Sequence, residues 1–210
     1  MITLDIYSDP ICPWCYIGKS RLDAAMEMRP DHGLEINWHP FMLNPEMPPE
    51  GMDRRDYLEL KFGSQQAVID AYLPVQNAAT EAGLPLDLAA IRRTPSTLDA
   101  HRLIHWAGLE GRQSAMVSAL FRAYFADVAD IGARGVLLAL AESAGMDAQV
   151  VARLLESDAD SDEIRARDAD VRARGLRGVP AFVIAGQHVV AGAQEVPFWL
   201  RIIDELVERR

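Results

Sequence analysis

The apolar positions of the chain fall into two rhythms. Ile2-Thr3-Leu4-Asp5-Ile6-Tyr7 alternates apolar and polar residues and is β-rich, which predicts a strand. Leu34-Glu35-Ile36-Asn37-Trp38 alternates in the same way and predicts a second. Between them, residues 16–28 follow a helical period. Leu22, Ala25 and Met26 form the inward stripe, and Lys19, Arg21, Asp23 and Glu27 mostly point outward. Pro30-Asp31-His32-Gly33 ends that helix. A β-α-β unit follows, and its crossover helix makes the two strands parallel.

The rhythm then changes. Asn44-Pro45-Glu46-Met47-Pro48-Pro49-Glu50-Gly51 is a proline-rich loop and the clearest boundary in the chain. From residue 53 to about 157 the pattern is helical throughout, with no convincing strand. The predicted helices cover 54–62, 65–82, 97–109, 112–126, 133–144 and 148–156, and Pro74 is expected to kink or split the second. The acidic run Ser157-Asp158-Ala159-Asp160-Ser161-Asp162 introduces a further helix over 163–174. Pro180 to Ile184 and His188 to Ala191 then flank Ala185-Gly186-Gln187, a hairpin with glycine at its turn. Pro197 opens a final helix with Phe198, Ile202, Ile203 and Leu206 inward. Without the helical middle, the order is β-α-β followed by α-β-β-α, which is the thioredoxin order. The expected fold class is therefore α/β, a thioredoxin fold with a large all-helical insertion. Residues 1–45 and 157–210 form the thioredoxin parts and 46–156 the insertion.

Bulk properties narrow the partners. The 210 residues are half apolar and carry a net charge of −10. That balance argues against nucleic acid and against anionic membrane surfaces. No segment reaches the length of a membrane span, and Met1 leads straight into the first strand without a signal-peptide pattern. A cytoplasmic location is expected, as a monomer or homodimer.

Both cysteines of the chain stand together as Cys12-Pro13-Trp14-Cys15, directly after the first strand. Ser8-Asp9-Pro10 is turn chemistry. Pro13 suits the first position of a helix, which places Cys12 at or next to the N-cap. The helix dipole and free N–H groups there favour a thiolate. Two thiols so spaced can close a disulfide and reopen it, with Cys12 attacking and Cys15 resolving from a more buried position. A zinc site would need more ligands. His101 and His105, at i and i+4, are remote in sequence and lack finger-like spacing, so no metal is expected.

Four stretches resemble the DsbA-like branch of the thioredoxin superfamily, and in particular the cytoplasmic FrnE-type oxidoreductases. They are Ser8 through Lys19 around the cysteines, Phe41-Met42-Leu43-Asn44-Pro45-Glu46-Met47-Pro48, Thr97-Leu98-Asp99-Ala100-His101-Arg102-Leu103, and Gly178-Val179-Pro180-Ala181-Phe182-Val183-Ile184 with Gly192-Ala193-Gln194. The resemblance implies dithiol–disulfide exchange without a bound cofactor, and a cis Val179–Pro180 bond packed against the cysteines. Substrate contacts fall to Pro13, Trp14, Val179 and Pro180. An extended substrate would pair with the Val179 backbone.

Two other readings stand beside this one. Kappa-class glutathione transferases and 2-hydroxychromene-2-carboxylate isomerases are similar across the whole chain, but typically carry serine at the position of Cys12. Glutathione as co-substrate fits either chemistry, and His39, His101 and Arg102 are candidates for its pocket. A non-catalytic interaction module is the third reading, although an intact thiol pair is unexpected in one. Trp38, Trp106 and Trp199 are expected in the core, as are the methionines.

Overall fold

A computed structural model describes residues 1–208. The main sheet has the order β2-β1-β5-β6, with β1 (Ile2–Ser8) at its centre. β2 (Leu34–Pro40) lies parallel to β1, joined through α1 (Pro13–Glu27). β5 (Ala181–Ile184) runs antiparallel to β1, and β6 (His188–Ala191) antiparallel to β5. The alternation of β1 turns Leu4 and Ile6 inward, in register with Ile184 and Phe182. These join Trp199 and Ile203 of α9 (Val196–Glu208) in one core with Ile17 and Leu22 of α1. The other face carries Asp5, Tyr7, Asn37 and His39, a polar set tied together by Asp5.

The helical insertion stands between β2 and α8 (Ser161–Ala173). Its helices are α2 (Arg54–Phe62), α3 (Gln65–Glu81), α4 (Leu98–Leu109), α5 (Gln113–Phe125), α6 (Arg134–Ser143) and α7 (Ala148–Glu156). No helix among the described residues is long and apolar enough to cross a membrane.

The structure corrects the sequence reading in four places. The middle is not free of strands: β3 (Met52–Asp53) pairs antiparallel with β4 (Arg93–Thr94). Two residues on each side are too few to show a period. Gly51 makes this crossing possible, because it has φ +71° and a Cβ there would stand 2.7 Å from the Thr94 carbonyl oxygen. Pro74 does not split its helix, for α3 runs unbroken from Gln65 to Glu81. Pro74 is exposed, where water can satisfy the carbonyl that a proline leaves unpaired. Lys19 and Arg21 are buried rather than outward. Arg21 reaches the Ala193 carbonyl and Glu195, and Lys19 pairs with Asp23 beside the Trp38 ring. Finally, β2 extends through Pro40, so His39 is a strand residue rather than one that follows the strand.

Candidate active site

The cysteines take their positions from the strand-to-helix turn. Cys12 is the N-cap of α1 with φ −87° and ψ 111°, and Pro13 opens the helix. The Cys12 sulfur fills the capping role usually taken by an oxygen, accepting the Cys15 N–H at 3.3 Å. The Cys12 thiol also donates to the Val179 carbonyl at 3.6 Å, across 167 residues of sequence. Both cysteines are free thiols, 4 % and 1 % exposed respectively. Burial pushes the Cys15 thiol well above its ordinary value, and the hydrogen bond and charge of Cys12 push the same way.

Val179 and Pro180 meet the cysteines from the start of β5. The peptide between them is cis. Pro180 is buried, and its carbonyl accepts the Gly192 N–H at 2.8 Å. Gly18 of α1 lies against it, where a Cβ would stand 3.2 Å from Pro180 Cγ and 3.4 Å from Ala193 Cα. Trp14 is half-buried, packed on the edge of the core beside the cysteines.

Asp9 organises the turn from below. It has no solvent exposure. One carboxylate oxygen accepts the Ile11 N–H at 3.1 Å. The other accepts the Leu43 N–H at 2.6 Å and the Thr97 hydroxyl at 3.3 Å. Its backbone carbonyl accepts the Cys12 N–H at 2.9 Å. Burial raises its pKa to about 6 against the pull of these donors. Met42, next to Leu43, donates its N–H to Asp168 of α8 at 2.8 Å. The loop after β2 is thus held between two buried carboxylates. The sequence signalled Asp9 only as a turn residue, because its partners are 34 and 88 positions away.

The three candidates for a glutathione pocket each have a defined place in the fold. Arg102 is buried, with its guanidinium donating to the carbonyls of Leu154, Ser157 and Ala159 and to Asp99. It fastens the turn before α8. His39 stacks on Tyr7 and bonds Asp5 at 3.0 Å. His101 is buried, and its Nε2 has no hydrogen-bond partner in the structure. His39 and His101 line a common cavity of about 10 Å³, room for one water. His105 joins Asp160 and Glu163, with ligand atoms within 4.8 Å of one another, and neither cysteine belongs to that group. The Arg167 guanidinium already lies against both His105 and Glu163.

All four motif stretches therefore converge on the thiol pair: Leu43 and Thr97 through Asp9, Val179 through its carbonyl, and Ala193 through Gly18 and Arg21. The family model of the DSBA-like thioredoxin domain matches residues 3–204. The chain belongs to that family. A probable DsbA oxidoreductase from Streptomyces coelicolor is 32 % identical, with a TM-score of 0.88 over 100 % of this chain and 92 % of its own. The cytosolic disulfide reductase DsbM of Pseudomonas aeruginosa is 22 % identical, with a TM-score of 0.70 over 99 % of this chain and 100 % of its own, and a further structure of it contains GSH. A 2-hydroxychromene-2-carboxylate isomerase is 17 % identical, with a TM-score of 0.74 over 99 % of this chain and 97 % of its own. At these lower identities the likeness is one of fold.

Proposed function

We propose that the protein is a thiol–disulfide oxidoreductase of FrnE type, working through Cys12 and Cys15 on glutathione or protein thiols in the cytoplasm. The observation that carries this reading is the thiol pair itself, with Cys12 at the head of α1 between the Cys15 N–H and the Val179 carbonyl.

In the reductive direction, the Cys12 thiolate attacks one sulfur of a substrate disulfide. A mixed disulfide forms, and the other substrate sulfur leaves and takes up a proton. Cys15 then gives up its proton and attacks the Cys12 sulfur. The second substrate thiol is released with that proton, and the Cys12–Cys15 disulfide carries the oxidation. Oxidation of a substrate is the same sequence reversed. The burial that holds Cys15 protonated keeps it in reserve until the mixed disulfide has formed. The Val179 carbonyl, freed once Cys12 no longer donates to it, accepts a substrate N–H and aligns the disulfide.

Dithiol chemistry is favoured over glutathione-dependent isomerisation because the cap position holds cysteine rather than serine and a second thiol lies one turn behind it. The test is Cys15→Ser offered an oxidised substrate. It is expected to accumulate a mixed disulfide on Cys12, while Cys12→Ser accumulates none. Trapping by Cys12→Ser alone would reverse the roles.

A further inference from the structure

We propose that the groove between α2 and α3 is a second ligand site, built for a small amphipathic carboxylate. The groove encloses about 860 Å³ and lies in the insertion, lined by side chains that the thiol chemistry does not use. That volume is in the range of small-molecule sites.

The polar half of the argument is Arg54, the first residue of α2, which lines the groove and is 8 % exposed. Its guanidinium donates to the Thr94 hydroxyl at 3.0 Å and to the hydroxyls of Tyr72 and Tyr124. The rings of Tyr57 and Tyr72 flank it. Every one of these groups is neutral. Nε is buried and has no partner, and no carboxylate pairs with Arg54 among the described residues. A buried cation normally stands opposite an anion, because the charge is costly to desolvate alone. Here the protein supplies none. Arg55 and Arg92 line the same groove, and with Arg54 they make three bases against two acids, Asp53 and Glu59. Asp53 is already engaged as the cap of α2, accepting the N–H groups of Arg55 and Asp56.

The apolar half of the lining is Leu58, Val68, Ile69, Leu73 and Leu88. Ile69 and Leu73 are among the large apolar side chains that α3 leaves exposed to solvent. A helix does not gain by exposing such residues, and an apolar tail laid along them would cover them. Guanidinium groups and aliphatic side chains lining one groove fit a carboxylate head with a hydrocarbon body. Neither a polar metabolite nor a neutral lipid would satisfy both halves.

Calorimetric titration of the full chain with octanoate and with 1-octanol tests this. The two probes share a tail and differ in the head group. Octanoate is expected to bind one to one, at least about tenfold more tightly than 1-octanol. Arg54→Met should remove that preference. Leu73→Glu, at an exposed position that leaves the fold intact, should weaken octanoate at least about tenfold by placing a like charge in the groove. Equal binding of the two probes, no binding of octanoate, or octanoate binding unchanged in Leu73→Glu would overturn the proposal.

Discussion

Gly18 and Pro180 are packed so closely that a methyl group on the glycine would stand 3.2 Å from the proline ring. Gly18 is in the middle of α1, where alanine would ordinarily be preferred by about 1 kcal/mol. Its absence of a side chain lets the loop carrying the Val179 carbonyl approach Cys12. Gly18→Val is expected to displace Pro180 and Ala193 and to cost about 1–3 kcal/mol of stability. Exchange with an oxidised substrate should slow more than the lost stability accounts for, because the Val179 carbonyl shifts from the thiol. Denaturant unfolding and single-turnover exchange, measured on the same preparation, check this. Exchange at the wild-type rate would show that the packing serves stability alone.

Asp9 and His101 pull the pH profile of stability in opposite directions. Burial raises Asp9 from 3.8 to about 6. Its stabilising contribution is therefore present below about pH 4 and is lost as pH rises through about 6. Burial lowers His101 from 6.5 to about 4. Its contribution is present above about pH 6.5 and is lost as pH falls through about 4. Each is on the order of 3 kcal/mol, and in the wild type they offset one another over this window. Relative to wild type, Asp9→Asn should gain stability as pH rises from 4 to 6.5, and His101→Phe should lose it. Urea midpoints at four pH values in that range check the signs. Parallel profiles for all three proteins would contradict the assignment.

Arg102 is expected to be a structural residue. Its removal takes a charged donor from the carbonyls of Leu154, Ser157 and Ala159 at once and leaves Asp99 without its ion-pair partner. Arg102→Met should lose on the order of 3 kcal/mol or more, while the folded fraction reacts with glutathione disulfide at the wild-type rate. A stable variant with weakened glutathione reactivity would return Arg102 to the substrate pocket.

The local patterns carried a long way. Alternation placed β1 and β2, the glycine turn between two apolar runs placed the terminal hairpin, and the Cys12-Pro13 pair located the start of α1 to the residue. What escaped was non-local. Lys19 and Arg21 read as solvent-facing because helical periodicity sees charge, not the Ala193 carbonyl and Glu195 that receive Arg21 from a distant segment or the Trp38 ring that covers Lys19. Asp9 escaped for the same reason: nothing in Ser8-Asp9-Pro10 announces Leu43 or Thr97. His101 and Arg102 stood in a family motif, but the partners that occupy Arg102, the carbonyls of Leu154, Ser157 and Ala159, lie more than 50 positions away and leave no local signal.

The central claim is that Cys12 and Cys15 form one reversible redox pair. Equilibration of the protein with mixtures of reduced and oxidised glutathione, followed by alkylation and intact mass, tests it most directly. Two thiols should disappear together along a two-electron curve as the mixture becomes oxidising, leaving an internal disulfide and no retained glutathione. Both thiols remaining open to alkylation after denaturation at every ratio, or a lasting glutathione adduct on Cys12 with Cys15 still free, would contradict it.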